Sequence, residues 1–263
     1  MAVKARPVIA PIVVDDWTGF YVGGALGGRW TDSSWNTTCQ ETGAPFNLGN
    51  CAPLPAIFPT NNPQSFNSSA VRASIYGGYN RQISKWVVGI EGDIGWADNN
   101  RTNAGIPGLE STTVVGAPGL DTSTVKQTWD AGLRGRVGFL ASPSVLFYGT
   151  GGVAFAHVEV SAHCGTTFPV GWCTAVNVPR TETTSSDRVG WTLGGGVEAK
   201  LTSNWLLRGE YRYADFGSLS VTQLQGPPSA NNVDAYSATV NYRTHTALIG
   251  LAYKFGGPVV AKY

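Results

Sequence analysis

Apolar and polar side chains alternate along most of this chain, and a period of two dominates over the 3.6-residue period of a helix. In the first segment one face reads Phe20, Val22, Gly24, Leu26, Gly28, Trp30 and the other Gly19, Tyr21, Gly23, Ala25, Gly27, Arg29. The second sets Val71, Ala73, Ile75, Gly77, Tyr79 against Arg72, Ser74, Tyr76, Gly78, Asn80. The third sets Trp86, Val88, Ile90, Gly92, Ile94, Trp96 against Val87, Gly89, Glu91, Asp93, Gly95. The fourth sets Val125, Gln127, Trp129, Ala131, Leu133, Gly135, Val137, Phe139 against Lys126, Thr128, Asp130, Gly132, Arg134, Arg136. A fifth, Val145 to Val160, is strand-like, but its sequence does not say which face is apolar. The sixth sets Val189, Trp191, Leu193, Val197, Ala199, Leu201 against Arg188, Thr192, Glu198, Lys200. The seventh sets Trp205, Leu207, Tyr211, Tyr213 against Leu206, Arg208, Glu210, Arg212, and the eighth ends in Ala247, Ile249, Leu251, Tyr253, Phe255. Eight strands follow, with no helix needed to connect them.

Their connections alternate in length. Short links fall near Arg81–Lys85, Leu140–Ser144 and Thr202–Asn204, about 60 residues apart. Long links, 31–70, 97–123, 161–187 and 217–238, are rich in Asn, Ser, Thr, Gly and Pro. An up-and-down antiparallel sheet whose two ends meet different surroundings produces this arrangement.

Composition narrows the class. Only 13% of the 263 residues are charged, against roughly 25% in ordinary soluble domains, while glycine reaches 34 residues. A formal charge of +1 gives no basic surface for nucleic acid. No apolar run approaches the ~18 residues of a membrane helix, which leaves a membrane barrel open. The start, MAVKARPVIAPIVVDD, is broken by Lys4, Arg6, Pro7 and Pro11 and does not read as a signal peptide. Four cysteines, Cys39, Cys51, Cys164 and Cys173, fall as two near neighbours inside two long links. Local pairing Cys39–Cys51 and Cys164–Cys173 is favoured among three connectivities and points to an oxidising compartment; four free loop thiols are the alternative.

Two features decide where the apolar face points. The polar face carries both signs of charge, repeated over four strands: Glu91, Asp93, Lys126, Asp130, Arg134, Arg136, Arg188, Glu198, Lys200, Arg208, Glu210 and Arg212. An eight-stranded barrel has interior room for side chains and little else, so this face suits a packed lumen. On the apolar face, aromatics recur ten residues apart as Phe20/Trp30, Trp86/Trp96 and Trp129/Phe139. Ten residues at about 3.3 Å rise, tilted by about 40°, stand roughly 25 Å tall, the height of the lipid band between aromatic girdles. The apolar face is therefore expected to meet lipid. Closure is then required, because an open sheet edge in hydrocarbon strands its backbone groups, so the first strand must pair with the eighth.

The motifs WTGFYVGG (17–24), YGGYN (76–80) and GGVAF (151–155), with the ending GLAYKFGGPVVAKY, resemble the small outer-membrane β-barrel proteins of alphaproteobacteria. These are porin-family, OmpA-like transmembrane barrels, and the likeness runs from Trp17 to Tyr263. It implies an all-β, eight-stranded antiparallel up-and-down transmembrane barrel with short periplasmic turns and long extracellular loops. It also implies a cell-outer-membrane location after removal of a signal peptide, lipid and lipopolysaccharide as surroundings, and delivery by the barrel-assembly machinery. Ile249, Leu251, Tyr253 and Phe255 resemble the terminal assembly signal of such barrels, although eight more residues follow and Tyr263 is a second candidate terminal aromatic. The organisation expected is a lead over 1–16, a barrel over 17–255 and a tail over 256–263, as a monomer.

No constellation of nucleophile, base and acid emerges. His157, His163 and His245 are scattered, and Asp187 groups with none of them around a nucleophile, so no enzyme, cofactor or metal is expected. The expected role is an envelope-integrity and surface-display barrel with a side-chain-filled lumen. A narrow gated pore and a soluble, lipocalin-like ligand barrel are the alternatives.

Overall fold

A computed structural model of the chain describes residues 13–14, 16–41, 51–53, 62–108, 121–165, 180–224, 236–255 and 259–260. Eight long strands form one antiparallel sheet: β1 Gly19–Glu41, β2 Ser68–Ile83, β3 Trp86–Ala104, β4 Thr122–Ser142, β5 Val145–Cys164, β6 Arg180–Lys200, β7 Trp205–Gln223 and β8 Tyr236–Lys254. Each pairs with its neighbour in sequence, and β8 pairs with β1 from Lys254↔Tyr21 to Tyr236↔Gln40, which closes the ring. Two- and four-residue turns join the strands at one end, where both ends of the barrel chain also lie. Beyond the barrel, Val13–Val14 pairs with Val260 and Val259, so part of the expected tail is tied to the lead.

At 16 to 23 residues, the strands are about twice as long as the ~9–11 needed to cross a bilayer. Much of what reads as long link in the sequence is strand: β1 alone continues through Glu41, and Cys51–Pro53 and Gln64–Ser65 pair back onto that extension.

The barrel changes polarity along its length. Towards the short-turn end, Phe20, Leu26, Ile75, Ile90, Leu133, Leu193 and Ile249 point outward and are largely exposed, while charged groups point in. Towards the long-loop end the outer face is polar, as at Asp32, Asn36, Thr38, Asp98, Asn100 and Thr102. There the interior is apolar, with Trp35, Phe66, Ile106, Val158, Val160, Phe216, Val221 and Val240 in one cluster. The first half obeys the rule for a barrel in lipid and the second the rule for a barrel in water. The outward apolar band excludes a soluble barrel with an apolar ligand inside. It also explains the fifth segment: Phe147, Val153 and Phe155 face out while Leu146, Val158 and Val160 face in, so both faces of β5 are apolar.

Two bulges reset the alternation. In β4 the register against β5 slips between Gln127 and Asp130. Val125 and Gln127 are consequently buried inside, opposite to the face expected of them, while Leu133 and Val137 keep theirs. In β7 a slip between Asp215 and Ser218 exchanges the faces in the same way, leaving Phe216 and Val221 both inside.

Glycines on the inner face of β1 serve the closing seam. Side-chain carbon added at Gly23 would sit 2.8 Å from Ala252 Cβ and against the Leu251 carbonyl, and at Gly27 it would sit 2.9 Å from Leu248 Cα and against the Ala247 carbonyl. The four-residue spacing on β1 matches the four-residue spacing of those carbonyls on β8, so at these two positions the inner face of β1 has no room for a side chain against β8.

Candidate functional site

The lumen is the one place where the described residues gather chemistry, and it is layered. At the short-turn mouth Trp17 is a stopper, 1% exposed among Tyr21, Val87, Leu146, Leu206 and Ala252. Its backbone N–H donates to Gln82 Oε1 (2.9 Å) and its indole N–H to the Pro143 carbonyl (3.2 Å). Lys200 Nζ stands 4.9 Å over its ring. The Asp16 carbonyl accepts from Lys254 Nζ (2.5 Å) and Lys200 Nζ (3.2 Å). Three separate parts of the barrel thus hold Trp17, and Lys254 with Lys200 holds Asp16 before it. Trp17→Phe removes the indole donor and weakens the contact with Lys200, and should cost about 1–2 kcal/mol. The urea midpoint of the barrel in detergent micelles measures it, and an unchanged midpoint would mean the stopper does not hold the mouth.

Above the stopper lies the charge layer. Glu91 accepts from Arg134 (2.6 Å), Arg208 (2.5 Å) and the Tyr21 hydroxyl (2.8 Å), with Arg136 at 3.8 Å. Arg136 pairs with Glu198 (2.9 Å). Glu210 accepts from Tyr148 (2.9 Å) and lies 3.5 to 3.9 Å from Arg134, Arg208 and Arg212. Asp93 joins Arg212 (2.7 Å), Arg72 (2.9 Å) and Arg134 (3.3 Å). Higher still, Asp130 bridges Arg72 and Arg29 (2.5 Å to Arg29), and Arg29 also donates to Asn99 and to the carbonyls of Ala97 and Gln127. The guanidinium of Arg208 lies 3.4 Å from the Tyr76 ring centre and that of Arg136 4.1 Å from Tyr148. Six arginines face five carboxylates here, all buried or nearly so, which is tolerable because all but Glu198 and Arg29 meet two or more opposite charges.

The charge layer ends at a space of about 10 Å³ beside Asp130, Thr192 and Arg212, room for one water at most. Beyond it the apolar cluster fills the barrel. Its far end is tied by Tyr236, which donates to Gln223 Oε1 (2.7 Å). Burial, with Glu182 nearby, holds the Tyr236 hydroxyl protonated well above the usual tyrosine range.

Of the charged residues expected in the lumen, Glu91, Asp93, Asp130, Arg134, Arg136, Glu198, Arg208, Glu210 and Arg212 meet in this network. Three do not. Lys126 lies beyond the β4 bulge, where the alternation has changed face; it is only half-buried, on the opposite side to Gln127. Arg188 is half-buried and donates to the Phe216 and Ser218 carbonyls at the β7 bulge. Lys200 belongs to the stopper. Arg29 and Arg72 sit on the inner faces that the alternation marks, and are central members missing from the expected set. Trp17 carries no local signal of this role, because its partners are 65 to 183 residues away.

The aromatics fall at two levels outside. Phe20 packs on Tyr79, Trp86 on Phe139 and Trp205 on Tyr253 near the short turns. Trp30, Trp96 and Trp129 lie where the outer face turns polar, Trp129 half-buried and stacked 6.2 Å from His157. Ile249, Leu251, Tyr253 and Phe255 point outward, and Phe255 N–H donates to the Phe20 carbonyl (2.7 Å). Cys39 and Cys164 are disulfide-bonded and no described cysteine is free. The side chain of Cys51, and Cys173 and Tyr263 altogether, lie outside the described residues. His157 pairs with Asp187 (2.7 Å) and His245 with Asp32 (3.3 Å) and Tyr211 (2.6 Å), while His163 bonds Thr181 (2.7 Å).

The model of the outer membrane protein beta-barrel domain matches residues 8–255. The chain belongs to that family. It is 28% identical over 261 residues to the 31 kDa outer-membrane immunogenic protein of Brucella melitensis, covering 95% of this chain and 89% of that protein. To the 25 kDa outer-membrane immunogenic protein of the same organism it is 30% identical over 254 residues, covering 95% and 85%. In structure it is similar to the outer membrane protein OprG of Pseudomonas aeruginosa, with a TM-score of 0.52, 15% identity, and coverage of 93% and 100%. This outer-membrane barrel therefore sits in the outer membrane of a Gram-negative envelope, with its short turns towards the periplasm and its polar-walled half beyond the outer surface.

Proposed function

We propose that the protein is a non-conducting, non-catalytic wall element of the outer membrane, which holds a tube of strands and its loops at the cell surface. The observation that carries this reading is the sealed lumen: Trp17 at the periplasmic mouth, eleven interlocked charges in the middle and an apolar cluster on the outside. An ion entering the charge layer would have to displace partners most of which bind two or three others. The names of the Brucella relatives, which call them immunogenic, support a surface-exposed part. Lipid and lipopolysaccharide are its surroundings in this reading, the monomer is its working form, and Ile249 to Phe255 present its outward aromatic face to the assembly machinery. Reconstitution into planar bilayers tests it. The expected trace is flat, and reproducible conductance steps would replace the wall by a gated pore.

A further inference from the structure

The lipid-facing surface is not uniform. On five adjacent strands, β3 to β7, an open groove of about 780 Å³ indents the periplasmic half of the apolar band. Phe139, Phe147, Val197 and Tyr211 form its walls. Its floor is backbone, because Gly149, Gly195 and Gly209 occupy outward positions in register with one another and with the walls: Gly149 opposes Gly195, Gly195 opposes Tyr211, and Gly209 opposes Val197. A side chain built at Gly209 would meet nothing within 4 Å, so the space there is open rather than filled by a neighbour. Four strand spacings of about 4.8 Å carry the groove about 19 Å across the strands, and at a strand tilt of about 40° it climbs roughly 12 Å, within the ~15 Å of one leaflet's hydrocarbon.

The foot of the groove carries an unused positive charge. Lys85 lies in the turn between β2 and β3, and its carbonyl accepts from Leu140 N–H (2.9 Å), which places the turn beside Phe139. The Lys85 side chain is exposed and, among the described residues, has no ion-pair partner. Ser144, in the next turn, is exposed as well. A cation at headgroup depth beside an apolar slot that stays within one leaflet matches one amphiphile.

We propose that this groove binds a phospholipid of the periplasmic leaflet, one acyl chain lying over the glycine floor and the phosphate on Lys85. A second copy of the chain would bury the aromatic walls but brings no phosphate to Lys85. Lipopolysaccharide would need the groove in the outer half of the band.

Native mass spectrometry of the folded barrel, moved from phosphatidylethanolamine–phosphatidylglycerol nanodiscs into mild detergent, tests this. One retained phospholipid is expected on the parent protein. Gly209→Leu, which fills the slot, should lower retention about tenfold, and Lys85→Glu should lower it without touching the barrel wall. Gly24→Leu is the control, an outward glycine of β1 away from the groove whose added carbon comes no nearer than 3.7 Å to the Ser74 carbonyl. Folding of each variant is checked by its heat-modifiable gel mobility. Equal retention in Gly209→Leu and Gly24→Leu overturns the proposal. So does a parent protein that keeps no phospholipid, or that keeps lipopolysaccharide or a second copy instead.

Discussion

Glu91→Gln should lower the stability of the folded barrel by about 3–5 kcal/mol, although it changes one oxygen for one nitrogen and opens no cavity. Glu91 is where Arg134, Arg208 and Tyr21 meet, with Arg136 at the edge of reach. Neutralising it leaves guanidinium groups facing one another in a space that water does not enter freely. The favourable term lost is multiple, and the desolvation cost of the arginines stays. Urea unfolding in detergent micelles or liposomes measures the effect. A second substitution separates charge balance from shape: Arg208→Met in the Glu91→Gln background should recover part of the loss, because it removes one of the excess cations. A loss below about 1 kcal/mol in the single variant would mean that the charge layer is hydrated and does not act as a unit.

Gly27→Val should prevent the barrel from closing. Strand propensity alone predicts the reverse, since valine favours strands over glycine by up to ~1 kcal/mol. Sterics decide the sign. The added carbon at Gly27 runs into the Ala247 carbonyl and the Leu248 Cα, and these are backbone atoms of the strand that must complete the ring. They cannot turn aside as a side chain can. Without the β1–β8 seam, one edge of each strand would lie unpaired in hydrocarbon. The expected result is a chain without heat-modifiable mobility or β-sheet circular dichroism in micelles. Gly24→Val, on the outer face of the same strand, should fold. A folded Gly27→Val barrel within about 1 kcal/mol of the parent would show that the seam can open by a few tenths of an ångström and still pair.

The sequence shows the staves well because each residue of a membrane strand reports its own side. Phe20, Tyr21, Val22 and Arg29 need no partner to be assigned, and the outward and inward sets of β1, β2 and β3 hold from end to end. What escapes is non-local. The bulge in β4 adds one residue between Gln127 and Asp130, and nothing in Gln-Thr-Trp-Asp marks it, so alternation alone puts Val125, Gln127 and Lys126 on the wrong faces. The strand extensions escape because their outward residues are Asn, Thr, Ser and Asp, the composition of a loop, while the apolar partners they shelter come from other strands. The site was half legible. Alternation puts Glu91, Arg134 and Glu210 in the lumen-facing set, but only the closed ring brings strands three, four and seven to a common point, and only it seats Trp17 beneath them.

The change of polarity along each strand has a consequence before the barrel exists. An exported outer-membrane protein must first pass the inner membrane, where a long apolar stretch would be retained as a helix. Alternation splits the lipid-facing residues from one another, and the water-facing half of each strand reverses which positions are apolar. The sum is a mean hydropathy of −0.05, no different from a chain that never meets a bilayer. The greasy surface that fixes this protein in the outer membrane is thus written so that it exists only after folding. Until then the inner membrane has nothing to hold.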